Sequence, residues 1–332
     1  MKRRIGIIAA TVGVFALSAC GSVGDGGASA GGDAESPEDV TVGFLQRQLD
    51  APYYAAMQSR AEEVAQEKGF TLLFQNASGD PVTQLDQAQT MLSQGADVLI
   101  VNAISPETER DQLETLAGEV PLLFIDTGVP DVGVTSVGSD NEAIGRFSGE
   151  IAAKRFEQGE DVSLAVINGG PNDEIVGPAR QSGFIEGLES AGLTVEVTAE
   201  ATGNYSQDEA VPATESVLAA NPDIDLVLGL NDAMALGALT VLQDQGDTDT
   251  FVAGVDGQKE ALQAIQDGGC DSQYIATGLN SPSDATDRAL EIAVQLATGD
   301  ATADDFDADE FIEGAGVGCD NVAEYYDPES VF

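Results

Sequence analysis

The sequence predicts an α/β protein built on two parallel sheets. Nearly continuous apolar runs, rather than alternating ones, recur along the chain, as strands covered on both faces require. Between them lie segments with helical period and recognisable capping residues, and such strand–helix–strand repeats imply parallel sheets with right-handed crossovers. Roughly ten such runs are more than one compact doubly wound sheet holds, so two sheets are expected. A chain of 332 residues is long enough for two domains, each with its own core.

The chain opens on a segment outside this pattern. A basic "MKRR", a short apolar run and "LSAC" read as a secretory signal over residues 1–19. The run is too short to span a bilayer comfortably. A cysteine directly after Leu17-Ser18-Ala19 resembles a bacterial lipobox, with cleavage before Cys20 and lipid on its thiol. The Gly, Ser, Ala and acidic residues that follow have the composition of a flexible tether, set at residues 20–38.

The first strand run is 40–45. Arg47 follows it, and Tyr53-Tyr54 begin a helix over 53–68 that Gly69 closes. Further runs lie at 71–75, 97–103, 121–126 and 134–140. Asp126 is followed by Thr127-Gly128 rather than by a helical pattern, which favours a pocket role for it. Asp140-Asn141 open a helix reaching to 158. Runs at 162–168, 193–199 and 225–231 follow, and Asn231 caps a helix that ends at Gly246. The last runs are 251–256 and 272–280. Polar residues therefore recur just past strand ends, at Arg47, Asp126, Asn168, Asn231, Asp256 and Asn280. Ligands of open α/β sheets bind outside those ends. Helix capping competes with ligand contact, at least equally at Asp140 and Asn231.

Cys270 and Cys319 remain once Cys20 is assigned, and outside the cytoplasm such a pair is expected to be oxidised. Their spacing is not that of a zinc site, and the chain has no histidine, so neither metal nor cofactor is expected. The formal charge is -45; without Lys2, Arg3 and Arg4, ten basic residues face 58 acidic ones, giving -48. Such a surface repels phosphate backbones, which excludes nucleic-acid binding. It is soluble and self-repelling, and a monomer is expected. The acidic run at 304–310 lacks the glycine and the closing glutamate of a calcium loop and reads as a solvated face.

Four blocks, in order, carry a family likeness: "GSDNEAIGRFSGE" (138–150), "ARQSGF" (179–184), "NDAMALGAL" (231–239) and "VAGVDG" (252–257). From about residue 40 to 299 the chain resembles the periplasmic sugar-binding proteins of the ribose-binding type. The resemblance implies the periplasmic binding protein type I fold, two Rossmann-like lobes joined by a three-segment hinge with a ligand cleft between them. It places crossings near Ser139, Asn280 and Phe311. The N-terminal lobe would comprise 39–139 plus 281–310, and the C-terminal lobe 140–280 plus 311–332.

The same resemblance implies the ligand set Arg47, Tyr53, Tyr54, Asp126, Arg180, Tyr205, Asn231, Asp256 and Asn280. Tyr53 and Tyr54 stand where the family turns aromatics onto sugar C–H groups. Adjacent residues on one helical turn diverge, so one is expected to stack and the other to be partly structural. Departures from the family pattern are Asp50-Ala51 for paired asparagines, Asn280 for glutamine, Arg47 for a small polar residue, and Thr127 for an arginine after Asp126. Two arginines against two aspartates leave the cleft nearly neutral, which favours an uncharged ligand.

The implied function is capture of a neutral sugar or short polyol and delivery to an ABC permease by a protein lipid-anchored outside the cytoplasm. The alternative is a sensing lipoprotein that presents its bound ligand to a membrane receptor. Two aspartates could mimic a glycosidase pair. Without a histidine, a nucleophile elbow or a metal cluster, an enzyme is not expected. A DNA-binding regulator would need a helical domain ahead of residue 40.

Overall fold

A computed structural model describes residues 34–49, 51–171, 173 and 175–332. The signal segment, Cys20, most of the tether and Asp50 lie outside the described residues. The first half runs β1 (Thr41–Gln46), α1 (Pro52–Lys68), β2 (Thr71–Asn76), α2 (Pro81–Ser93), β3 (Val98–Val101), α3 (Pro106–Ala117), β4 (Leu122–Ile125) and β5 (Ser136–Ser139). The second half runs α4 (Asn141–Ala152), β6 (Asp161–Asn168), α5 (Val176–Ser190), β7 (Thr194–Thr202), α6 (Gln207–Ala220), β8 (Leu226–Gly229), α7 (Asp232–Gln245), β9 (Phe251–Asp256), α8 (Lys259–Gly268) and β10 (Tyr274–Leu279). The chain then adds α9 (Pro282–Thr298), β11 (Asp309–Ile312) and β12 (Gly316–Val317).

Two six-stranded sheets result, ordered β2-β1-β3-β4-β5-β11 and β7-β6-β8-β9-β10-β12. Every pairing is parallel except β10 with β12. The first five strands of each sheet follow one order, so both halves repeat one doubly wound plan without an internal sequence repeat. Central strands are buried on both faces: Val98 to Val101, Leu122 to Ile125 and Leu226 to Leu228 are at most 1 % exposed. Two-sided burial is what the continuous apolar runs require.

The chain passes between the sheets after β5, after β10 and after β11. Helix α9 returns to the first core, where Ala285, Ala289, Leu290 and Ala293 are fully buried. The third passage falls later than expected: Phe311 and Ile312 still pair with Gly138 and Ser139 on the first sheet. The helix expected up to 158 stops at Ala152 and tightens into a 3-10 turn, Ala153–Arg155.

Helices α4 and α5 pack closely because both carry glycines four residues apart, Gly145 and Gly149 against Gly183 and Gly187. A Cβ at Gly145 would collide with the backbone of Arg180, and one at Gly183 with the carbonyl of Glu142. This contact sets the start of α5, and with it Arg180, against the start of α4.

Candidate functional site

The carboxyl ends of both sheets face a single cleft of about 790 Å³. All nine residues proposed from sequence line it: Arg47, Tyr53, Tyr54, Asp126, Arg180, Tyr205, Asn231, Asp256 and Asn280. Six of the described non-glycine residues have positive φ, and four of these line the cleft: Asp126 (64°), Asn204 (49°), Tyr205 (58°) and Asp256 (131°). Such backbone is strained and persists where surrounding contacts over-determine it.

On the first-sheet side, Asp126 follows β4. Asn102, fully buried, donates to Asp126 Oδ2 at 3.3 Å and to Gln46 Oε1 at 3.0 Å. Arg47 Nη1 donates to Thr127 Oγ1 at 3.2 Å, so a guanidinium from the β1 end reaches the position after Asp126 where the family pattern is broken. Burial pushes the Asp126 carboxyl up, and the charges of Arg47 and Arg180 pull it back. Tyr53 and Tyr54 meet edge to face, with centroids 5.5 Å apart. Tyr53 belongs to the buried first core and its hydroxyl donates to Asn280 Oδ1 at 3.0 Å, whereas Tyr54 is only partly buried. Both rings line the cleft, and Tyr53 is the more structural of the two. Burial raises both phenols, which keeps them neutral donors and acceptors.

On the second-sheet side, Arg180 and Asp256 form an ion pair of 2.9 Å in which the side chains are 5 % and 9 % exposed. Arg180 Nε also donates to Asn141 Oδ1 and Nη1 to the Leu230 carbonyl, each at 2.9 Å. Burial is the largest influence and works against the Arg180 charge, but Asp256, Tyr205, Asp126 and Tyr53 together outweigh it, and the guanidinium stays charged. The Asp256 carboxyl is pushed up by burial, while Arg180 and a 3.1 Å bond from Asn280 Nδ2 oppose the shift. Asn231 is both cap and lining residue: its Oδ1 accepts from the Met234 N–H at 2.9 Å.

Three contributors escaped sequence reading. Asp173 accepts from the Tyr205 hydroxyl and from the Gly177 N–H. Its signal was a polar loop past the end of β6. Asn102 sits past β3, at the same kind of position as the residues that were singled out. Asp232 is buried beneath the Asp256 turn, accepting from Tyr274 Oη at 2.6 Å, Thr277 Oγ1 at 2.8 Å and Gln258 N at 2.7 Å. Burial, reinforced by Asp256, pushes its carboxyl up to about 7. Asn168 lies outside the cleft lining; it accepts from Gly170 N and Thr202 Oγ1 instead. Far from the cleft, Cys270 and Cys319 lie at bonding distance, with Cα atoms 5.1 Å apart.

The sequence pattern of the periplasmic binding protein domain family matches residues 42–301. The chain is 28 % identical to the ribose import binding protein of Bacillus subtilis (strain 168), over 80 % of this chain and 85 % of that protein. It is 31 % identical to the D-apiose import binding protein of Actinobacillus succinogenes, over 76 % of this chain and 80 % of the other. A solved ABC transporter solute-binding protein from Mycobacterium smegmatis with bound glycerol superposes with a TM-score of 0.77 at 29 % identity, covering 88 % of this chain and 98 % of that one.

Proposed function

Since the chain belongs to the periplasmic binding protein domain family, we propose that it captures a neutral sugar or short polyol in the cleft and delivers it to an ABC-type importer. One observation supports this most: hydrogen-bonding groups from both sheets converge on one cleft that also carries three tyrosine rings. Sugar hydroxyls donate and accept, so carboxylates, amides and a guanidinium suit them, and ring faces suit their C–H surfaces. Arg47, Arg110 and Arg180 stand against Glu107, Asp126, Asp173 and Asp256 in the cleft lining, a near balance that suits an uncharged ligand. The relatives are a ribose, an apiose and a glycerol-bound protein, so pentoses and short polyols lead the search.

In this reading the nine cleft residues form the ligand set, and the lobes comprise 39–139 plus 281–312 and 140–280 plus 313–332, closing by hinge motion. The protein acts outside the cytoplasm as a monomer held by lipid on Cys20. The family is one of transport solute-binding proteins, and a binding role without catalysis is what the cleft chemistry suits.

A thermal-shift screen of pentoses, hexoses, polyols and inositols, followed by calorimetry on the hits, tests the reading. A ligand at 100 times its Kd should stabilise by about 2.7 kcal/mol. No shift from any of these at millimolar concentration would overturn it. For the anchor, Cys20→Ser should release the protein or leave it unprocessed, and unchanged membrane retention at unchanged mass would refute lipidation.

A further inference from the structure

The segment after β12 was expected to stay with the second lobe, and at first it does. Val322 is buried in the second core, and Tyr326 packs against it. Six residues on, Phe332 packs against the first core instead. Its ring meets the Tyr53 ring edge to face, with centroids 5.6 Å apart and an interplanar angle of 74°. Between these points Lys259, the first residue of α8, donates from Nζ to the Ser330 carbonyl at 2.6 Å. The segment is thus held to the second lobe at residue 330 and to the first at residue 332.

Tyr53 has three constraints: the Tyr54 edge, the Phe332 edge, and the bond from its hydroxyl to Asn280. Asn280 itself lies between β10 and α9, on the second of the chain's passages between sheets. We propose that residues 327–332 form a fourth connection between the lobes, and that Phe332 is a positioning residue that orients Tyr53 for ligand and restrains hinge opening. The first part is independent of ligand identity; the second rests on the sugar-binding reading. Rotation that separates the lobes must slide Phe332 off Tyr53 or pull Ser330 from Lys259. Without Phe332, one side of the Tyr53 ring gains solvent and rotamer freedom, which ligand must then remove on binding.

Three variants and two kinds of measurement test this. Phe332→Ala removes the ring, Phe332→Tyr retains it, and Lys259→Met releases Ser330 without altering either core. Small-angle scattering of the unliganded protein reports the spread of lobe separations and needs no ligand. Stopped-flow and calorimetry with a sugar found by the screen report dissociation and affinity. Phe332→Ala should widen the unliganded ensemble and weaken binding about two- to tenfold, the range of one aromatic pair. Faster dissociation should account for most of that loss. Phe332→Tyr should behave as wild type, and Lys259→Met should widen the ensemble alone. A Phe332→Ala protein with wild-type scattering overturns the connection, even if it melts earlier. Wild-type affinity in the same variant overturns the positioning role. If no sugar binds the wild type, the sugar reading fails while scattering still decides the connection.

Discussion

Replacing Arg180 by alanine should damage the fold as much as the site. Exposure of both charges in an open form would confine the loss to binding. The structure points the other way, because Asp256, Asn141 and the Leu230 carbonyl all sit with Arg180 on the second sheet's body. Opening the cleft cannot separate any of them. Arg180→Ala leaves the Asp256 carboxylate buried, with Asn280 as its remaining side-chain donor. Breaking a buried pair from one side costs about 3–5 kcal/mol. Against a total stability of about 5–15 kcal/mol this is a large share. At about 2–4 °C per kcal/mol for a domain of this size, melting should fall by about 6–20 °C. Removing both charges in Arg180→Met/Asp256→Asn should recover much of that loss, since no buried charge is stranded. Circular-dichroism melts and urea titrations at pH 7 measure the stability effect. Calorimetry should show both variants binding the screened sugar about 30- to 1000-fold more weakly, as expected when a desolvated charged contact is lost. A single variant melting within experimental error of wild type, or a double variant no more stable than the single, would refute the reasoning.

Three further outcomes are expected. The raised Asp232 carboxyl means that the folded state binds a proton the unfolded chain has released. Its contribution is therefore favourable below the ordinary carboxylate range and is lost as pH rises towards about 7, at up to about 1.4 kcal/mol per pH unit. Asp232→Asn should accordingly flatten the fall in urea-measured stability between pH 4 and 7, and an unchanged slope would show that Asp232 titrates normally. The Cys270–Cys319 pair should resist alkylation in the native protein, and reducing it should destabilise by roughly 4 kcal/mol for a loop of about 50 residues; two freely alkylated thiols would exclude the bond. With a formal charge of -45 over the whole sequence, melting temperature should rise from low salt to about 1 M, where the Debye length is near 3 Å. A flat or falling curve would mean that self-repulsion does not govern stability.

Local chemistry made much of this protein legible in its sequence. Continuous apolar runs must be covered on both faces, so they marked the central strands and the α/β class before any contact was known. Asn231, Asp140 and Gly246 act within a turn of their own position, so their cap roles could be read directly. Residues just past strand ends are placed by the sheet itself, so Asp126, Asp256 and Asn280 were found by their place in the pattern.

What tertiary structure alone decided are the partners. Tyr53 meets Asn280 across 227 residues of sequence, and Phe332, beyond the last strand of the second sheet, reaches the same ring. Nothing near Arg180 in sequence shows that its acceptors sit with it on the body of the second sheet, which makes this cleft-lining residue a structural partner as well. The acidic stretch that holds β11 showed no strand pattern, because an edge strand needs only one neighbour, and β5 supplies it. Patterning reports how deeply a residue is covered. It does not report by what, because burial depends on the residue's own chemistry while the covering group is set by how distant segments close upon one another.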